Sequence, residues 1–284
     1  METTHYQPIQ KSLREYARGI AGGLIFSMPL LYTMEVWWIG LSADPLRLAG
    51  SMVVTFLLLL GYNRYVGLRS DAGWREIMID SVEEMGIGIV TAAGVLLLLG
   101  RIGPHTPTEE LMGKVIVEAM TIAIGVSVGT AQLGSKEEDD GEDTGMSGDH
   151  HHRMTFGAQL TIAFCGAVLF AMNIAPTEEV LLIASEISPW ETLLVAVVSL
   201  CIGIGILYYI DFTGSRRFVA DGGRWKVPMG GIVMYAIALA ASTLALWFFG
   251  QLDNQGNEIR VAEIVVLGLV STLGSSAGRL LLQM

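Results

Sequence analysis

Four glutamates lie within long apolar stretches of the sequence, as two pairs with nearly the same spacing. Glu35 and Glu179 are 144 positions apart, and Glu118 and Glu263 are 145 positions apart. A charged side chain in bilayer hydrocarbon costs about 2.5–3.5 kcal/mol on insertion scales, so it normally faces a protein interior or a wet cavity. Carboxylates suit hard cations, and carboxylates that crowd together take up protons more readily. The glutamates therefore predict a binding site or pathway for cations or protons, with Glu35 and Glu179 central and Glu118 and Glu263 supporting.

A structural role for these glutamates is the alternative. Near the end of a membrane helix a glutamate can reach interfacial water, and this applies to Glu178 and Glu263; for Glu118 a structural and a functional role are equally favoured. The acids could also form hydrogen bonds between helices or pair with a basic neighbour such as Arg101. For Glu35 and Glu179 the functional interpretation is favoured, because the two copies keep both the charge and the helical face.

A further acidic group is formed by Asp80, Glu83 and Glu84, at the start of another apolar segment. Spacings of three and four place these residues on one face of a helix. We interpret them as a solvated helix start, where acids also suit the positive end of the helix dipole. The functional alternative is an inner mouth for the same cations.

The composition indicates a membrane protein. Of 284 residues, 52% are hydrophobic and only 16% are charged, whereas soluble domains average about 25% charged; the mean hydropathy is +0.52. The net charge of −11 argues against a nucleic-acid partner. The chain carries no HExxH, Walker or GxSxG motif, so neither an enzyme nor a cofactor is indicated.

Eight segments are long and apolar enough to cross a bilayer, which takes about 20 residues. The sequence therefore predicts an all-α polytopic membrane protein with eight transmembrane helices. The segments cover 17–41, 46–66, 77–100, 111–133, 155–184, 190–211, 228–250 and 260–282.

The distribution of basic residues predicts the orientation in the bilayer. Of the 17 Lys and Arg residues, 13 fall on the side of the N-terminus and four on the other, namely Arg47, Arg101, Lys114 and Arg260. Cytoplasmic loops carry the excess of positive charge. Both termini are therefore predicted to be cytoplasmic, in a multi-pass protein of the bacterial inner membrane.

An internal repeat organises the chain. The stretches Gly22–Pro45 and Gly166–Pro189 align without a gap, and eight of 24 positions are identical. Because four helices per copy is an even number, the copies would be parallel repeats. The predicted organisation is a cytoplasmic N-terminus (1–16), a first four-helix repeat (17–133), a linker (134–154) and a second four-helix repeat (155–284).

Two other patterns concern partners. GxxxG pairs, which permit close helix approach, occur at Gly19/Gly23, Gly125/Gly129 and Gly274/Gly278 and allow a homo-oligomer.

The linker reads "GSKEEDDGEDTGMSGDHHHR" and lacks apolar anchors, which is typical of a solvated, disordered segment. Its histidines, His150, His151 and His152, are the alternative candidates for binding a divalent metal.

The stretch "ARGIAGGLIFSMPLLYTMEVWWIG", followed by "DPLRL" and "YNRYVGL", resembles a bacterial family of integral membrane proteins that carries a domain-of-unknown-function label. The resemblance is closest over the first four predicted helices and looser in the later half. It implies a prokaryotic multi-pass protein of this size. It supplies no activity, substrate or site residue.

The patterns together predict a transporter or channel for small cations, with protons as a coupled or competing species. The rival is a membrane scaffold or sensor that does not transport, and whose acidic loop binds a partner or a divalent metal. In either case the lipid bilayer is the surrounding partner.

Overall fold

The structure, a computed structural model, describes residues 9–66, 73–134, 156–209 and 226–281. Within these ranges the chain forms ten helices and no strand. The acidic linker with His150–His152 lies outside the described residues. The helices are α1 (Ile9–Leu31), α2 (Met34–Ser42), α3 (Pro45–Val66), α4 (Trp74–Leu98), α5 (Thr108–Gly134), α6 (Phe156–Ile174), α7 (Glu178–Glu186), α8 (Pro189–Tyr209), α9 (Lys226–Phe248) and α10 (Asn257–Leu281).

The long helices have the length and composition of membrane spans. Among the described residues seven qualify, namely α3 to α6 and α8 to α10, and α1 with α2 makes an eighth if the two are counted together. The prediction of an all-α polytopic membrane protein is thereby confirmed.

Two of the eight predicted helices are broken, and their prediction as single helices was wrong. The segment 17–41 forms α1 and α2, whose axes differ by 87°, and the segment 155–184 forms α6 and α7. Thr33 (φ −91°, ψ 116°) and Thr177 (φ −79°, ψ 145°) are extended residues that begin the short helices. A hydropathy window counts apolar residues but carries no information on the direction of the backbone.

A proline lies close to each break, where its missing N–H and its ring disturb helical hydrogen bonding. Pro29 lies in the last turn of α1, and the hydroxyl of Thr33 donates to its carbonyl at 2.6 Å. Pro176 follows α6, and the hydroxyl of Thr177 donates to the Ile174 carbonyl at 2.8 Å. The two prolines differ in register, yet both breaks fall at the threonines.

The most extensive packing joins α1 to α5 and α6 to α10. It depends on backbone contact at glycines: a Cβ at Gly22 would lie 2.5 Å from the Cα of Gly129, and a Cβ at Gly274 would lie 2.5 Å from the carbonyl oxygen of Gly166. At these glycines α1 touches α5 and α6 touches α10 through their backbones, and a side chain at either position would push the two helices apart.

The GxxxG surfaces are largely used inside the chain. Gly19, Gly23, Gly125, Gly129 and Gly274 all lie against another helix of the same chain. Because these five glycines are occupied by contacts within the chain, they do not support a homo-oligomer, which remains a prediction.

Within the described residues, the two halves present the same order of elements, a long helix, a nine-residue helix and three long helices. In addition, α4 and α9 end alike: Gly100 (φ 68°) and Gly250 (φ 74°) are left-handed, and their N–H groups donate to Leu97 and Trp247 respectively. Glycine adopts this conformation without the strain that a Cβ introduces. A duplication would produce this likeness; the parallel arrangement of two repeats remains a prediction.

Candidate functional site

Glu118 of α5 and Glu263 of α10 are completely buried. Neither carboxylate oxygen of either residue has a hydrogen-bond partner within the described part of the chain. Burying a charge costs a great deal unless it is paired and hydrogen-bonded. An ionisable group kept in a membrane span at such a cost is by default a functional candidate.

Glu118 lies level with the break between α1 and α2. It shares a helical face with Gly125 and Gly129, seven and eleven residues further along α5, which is close to two and three turns. Those glycines contact α1, while Gly113, near the start of α5, contacts Gly40 of α2. Because the chain passes from α1 to α2 between these two contacts, Glu118 faces the break.

Glu263 occupies the equivalent place in the second half. It precedes Gly274 by eleven residues, as Glu118 precedes Gly129. Gly274 contacts Gly166 of α6, and α7 packs against α10 as α2 packs against α5. Glu263 is therefore on the face of α10 that is turned toward the second break.

The basic residue one turn before Glu118 does not neutralise it. Lys114 pairs with Glu110 and donates to the carbonyl of Arg101 at 3.1 Å. The guanidinium of Arg101 lies 3.9 Å from the ring centre of Trp37, a cation–π contact.

In the second half the nearby basic residue also makes a hydrogen bond elsewhere, although its charge acts on Glu263 through space. Arg260, three residues before Glu263, donates through Nε to the Leu252 carbonyl at 2.9 Å. Each buried glutamate thus has a cation nearby whose hydrogen bonds go elsewhere.

Glu35 and Glu179 lie in the first turns of α2 and α7, just past the breaks. Glu35 is half-buried, and Glu179 is exposed at the surface of the chain. Acids in a first turn complement the helix dipole. Among the described residues no three His, Cys, Asp or Glu side chains could hold a metal ion together. The four glutamates are therefore not gathered at one metal site within the described residues: one glutamate follows each break, and one is buried on the helix packed against it.

The residues of the third acidic group, Asp80, Glu83 and Glu84, differ in their exposure. Glu83 is exposed and Asp80 is half-buried, whereas Glu84 is buried and accepts a hydrogen bond from Asn63 at 2.8 Å. Because α4 begins at Trp74, Glu84 lies ten residues inside the helix. It does not belong to a solvated helix start.

Two polar side chains near the breaks were missed by the sequence reasoning. Asn173 of α6 donates to the Phe26 carbonyl of α1 at 2.8 Å and so joins the two halves. Gln251 donates to the Pro176 carbonyl at 3.2 Å, which satisfies an oxygen that the second break leaves free. The signal available for Asn173 was an amide in an otherwise apolar segment.

Comparison with known proteins identifies a family. A family model described as "Putative integral membrane protein (DUF2391)" matches residues 15–282. No curated protein and no solved structure matches the chain.

Proposed function

Because the chain belongs to the DUF2391 family of integral membrane proteins, we propose that its buried charges serve transport. Small cations cross the bilayer through this protein, and Glu118 and Glu263 bind them. A proton competes with the cation at each carboxylate.

One observation carries the proposal. Two glutamates are fully buried without hydrogen-bond partners in the described part of the chain, and each faces a broken helix at the corresponding place in its half. Broken helices at corresponding places in two halves point to the binding site in membrane transporters, because freed carbonyls there can coordinate a cation. The sequence predicts Glu35 and Glu179 as the central cation-binding residues. In the proposal Glu118 and Glu263 bind the cation, and Glu35 and Glu179 flank the site.

Proton competition follows from the same burial. A carboxylate without a hydrogen-bond donor in an apolar surrounding is costly as a bare anion. It is relieved either by a bound cation or by a bound proton, and the two exclude each other. Exchange of one for the other links cation movement to proton movement.

We further propose the orientation that the basic residues predict. Both termini lie in the cytoplasm of a bacterial cell, and the two breaks lie toward the outer side. Arg47, Arg101, Lys114 and Arg260, near the outer ends of the helices, would then frame the outer entrance.

Cation flux into proteoliposomes tests the proposal. The double variant Glu118→Gln with Glu263→Gln keeps the side-chain shape and removes both charges, so we expect its flux to fall to the rate of empty liposomes. Glu109→Gln and Glu258→Gln are matched controls, because both residues are exposed in the first turns of the same two helices. These should transport as the wild type does.

The outcomes separate the two functional classes. Unchanged flux in the double variant would remove the site. No flux of any monovalent or divalent cation in the wild type would favour the scaffold or sensor. The double variant Glu35→Gln with Glu179→Gln should raise the cation concentration that gives the half-maximal rate and leave the maximal rate nearly unchanged. Flanking acids attract the cation on its way to the site but do not hold it there.

A further inference from the structure

A second buried polar cluster lies between α3, α4 and α5, away from the two breaks. The amide nitrogen of Asn63 donates to Glu84 at 2.8 Å and to the hydroxyl of Ser81 at 3.1 Å. The hydroxyl of Ser127 donates to the amide oxygen of Asn63 at 3.1 Å. None of the four side chains is more than 9% exposed.

The orientation of the Asn63 amide follows from its neighbours. The hydroxyl of Ser81 donates to the Ile77 carbonyl at 2.8 Å, so its single proton is used there. Ser81 can then only accept from Asn63, and the group facing it must be the amide nitrogen. The same nitrogen faces Glu84, whose carboxylate therefore meets an N–H donor.

Tyr62, next to Asn63 in the sequence, contributes a second buried polar group, a hydroxyl that has no hydrogen-bond partner in the described part of the chain. Tyr62 is only 2% exposed. It interacts electrostatically with Glu84 and with Cys165 of α6. The charged groups that act on Glu84 are Asp80 and Glu83 of its own helix, and both are acidic.

We infer that Glu84 is a site for one exchangeable proton, separate from the two carboxylates at the breaks. A metal ion needs oxygen ligands, but the nearest partner of this carboxylate is an N–H group, which repels a cation. A proton is transferred from a hydronium ion to the carboxylate oxygen: one O–H bond forms, the O–H bond of the donor breaks, and water is released.

Among the described residues, the site is found in the first half and not at the corresponding positions of the second. The matching helix ends at Gly100 and Gly250, 150 positions apart, place Met234 opposite Glu84, and the offset of 144 places Leu207 opposite Asn63. Leu207 and Met234 are buried and pack together with Ala163. Where the first half has a polar pair, the second has an apolar contact.

The role of the site in transport rests on the proposed function. Glu84 lies ten residues from the start of the 25-residue helix α4, about 15 Å along its axis. It is therefore at mid-depth, where a bound proton experiences the gradient across the bilayer. Protonation of Glu84 adds a second coupling of cation movement to that gradient, beside the exchange at the two break carboxylates.

Infrared difference spectroscopy of the full chain in lipid nanodiscs, titrated with acid, tests the proton site. A protonated carboxyl gives its own C=O stretching band. We expect part of the wild-type band to disappear in Glu84→Gln and to remain in Glu83→Gln, whose residue is exposed on the same helix. In Asn63→Leu the band should shift in frequency, because the carboxyl loses a hydrogen bond. A band that is identical in wild type and Glu84→Gln over the whole titration overturns the site.

Flux measured with and without a pH gradient tests the coupling. Glu84→Gln should still exchange cations at equal pH, but a pH gradient should drive less accumulation than in the wild type, because only the exchange at the breaks remains. Accumulation equal to that of the wild type overturns the coupling. A protein that transports nothing disproves the proposed function, while the infrared result still decides whether Glu84 binds the proton.

Discussion

Gly22 of α1 and Gly129 of α5 touch backbone to backbone, and the packing of α1 on α5 depends on that contact. Gly22→Ala or Gly129→Ala should destabilise the protein by about 1–3 kcal/mol, the usual cost of overpacking. Thermal unfolding in detergent, followed by loss of helical circular dichroism, measures the effect.

Gly94→Ala is the matched control. Gly94 lies within α4, and a Cβ there would meet no atom within 4 Å. Alanine exceeds glycine in helix propensity by about 1 kcal/mol, so this variant should be as stable as the wild type or more so. Equal losses in all three variants would show that the close approach of α1 and α5 is not required.

Glu118→Leu should raise the stability of the protein while it abolishes flux. The substitution removes two buried oxygens without partners in the described part of the chain, and an unsatisfied buried polar group costs about 1–3 kcal/mol. Glu263→Leu should behave alike. Unfolding temperatures measured on the flux-tested preparations check both effects together.

Glu84→Leu provides the contrast. Here the substitution leaves the Asn63 amide without its carboxylate partner, so stability should fall. If Glu118→Leu lowered stability as much as Glu84→Leu, Glu118 would have a structural partner, and its assignment as a binding group would be wrong.

Asn173 should respond differently to two substitutions of similar size. Asn173→Leu loses the bond to the Phe26 carbonyl, and hydrogen bonds between membrane helices average about 0.6 kcal/mol. Asn173→Asp should cost much more, because a carboxylate then faces the carbonyl oxygens of Phe26 and Leu169. Unfolding in a graded denaturing detergent ranks the two, and the reverse order would contradict this contact.

The ion pair between Arg47 and Asp253 should contribute little. Its side chains are 28% and 49% exposed, its N–O distance is 2.7 Å, and exposed pairs measure about 0.2–1 kcal/mol. A double-mutant cycle with Arg47→Gln and Asp253→Asn should give a coupling in this range that shrinks in high salt. A larger coupling energy that does not change with salt would contradict this expectation and would show that the ion pair holds α3 firmly against the segment before α10.

The membrane spans could be predicted from the sequence because length and hydropathy decide them. The segment 46–66 became Pro45–Val66, and 228–250 became Lys226–Phe248. The breaks at Thr33 and Thr177 could not, since a hydropathy average over each segment stays high whether the chain continues or turns. Pro29 and Pro176 were visible, but their different register argued against a shared bend.

The buried acids illustrate the same limit. The sequence shows that Glu118 and Glu263 lie in apolar segments, but their complete burial depends on how closely glycines let α1 and α6 approach. Glu84 appeared to belong with Asp80 and Glu83 because three and four residues share a face. Only the position of α3, which brings Asn63 to Glu84, separates it from them.

The glycine contacts also limit where water can enter this protein. Between α1 and α5, and again between α6 and α10, main chains meet with no gap for a solvated ion. These two seams are closed to permeation. An aqueous route to the buried acids would therefore have to pass between other helices, for instance where Asn173 of α6 meets α1.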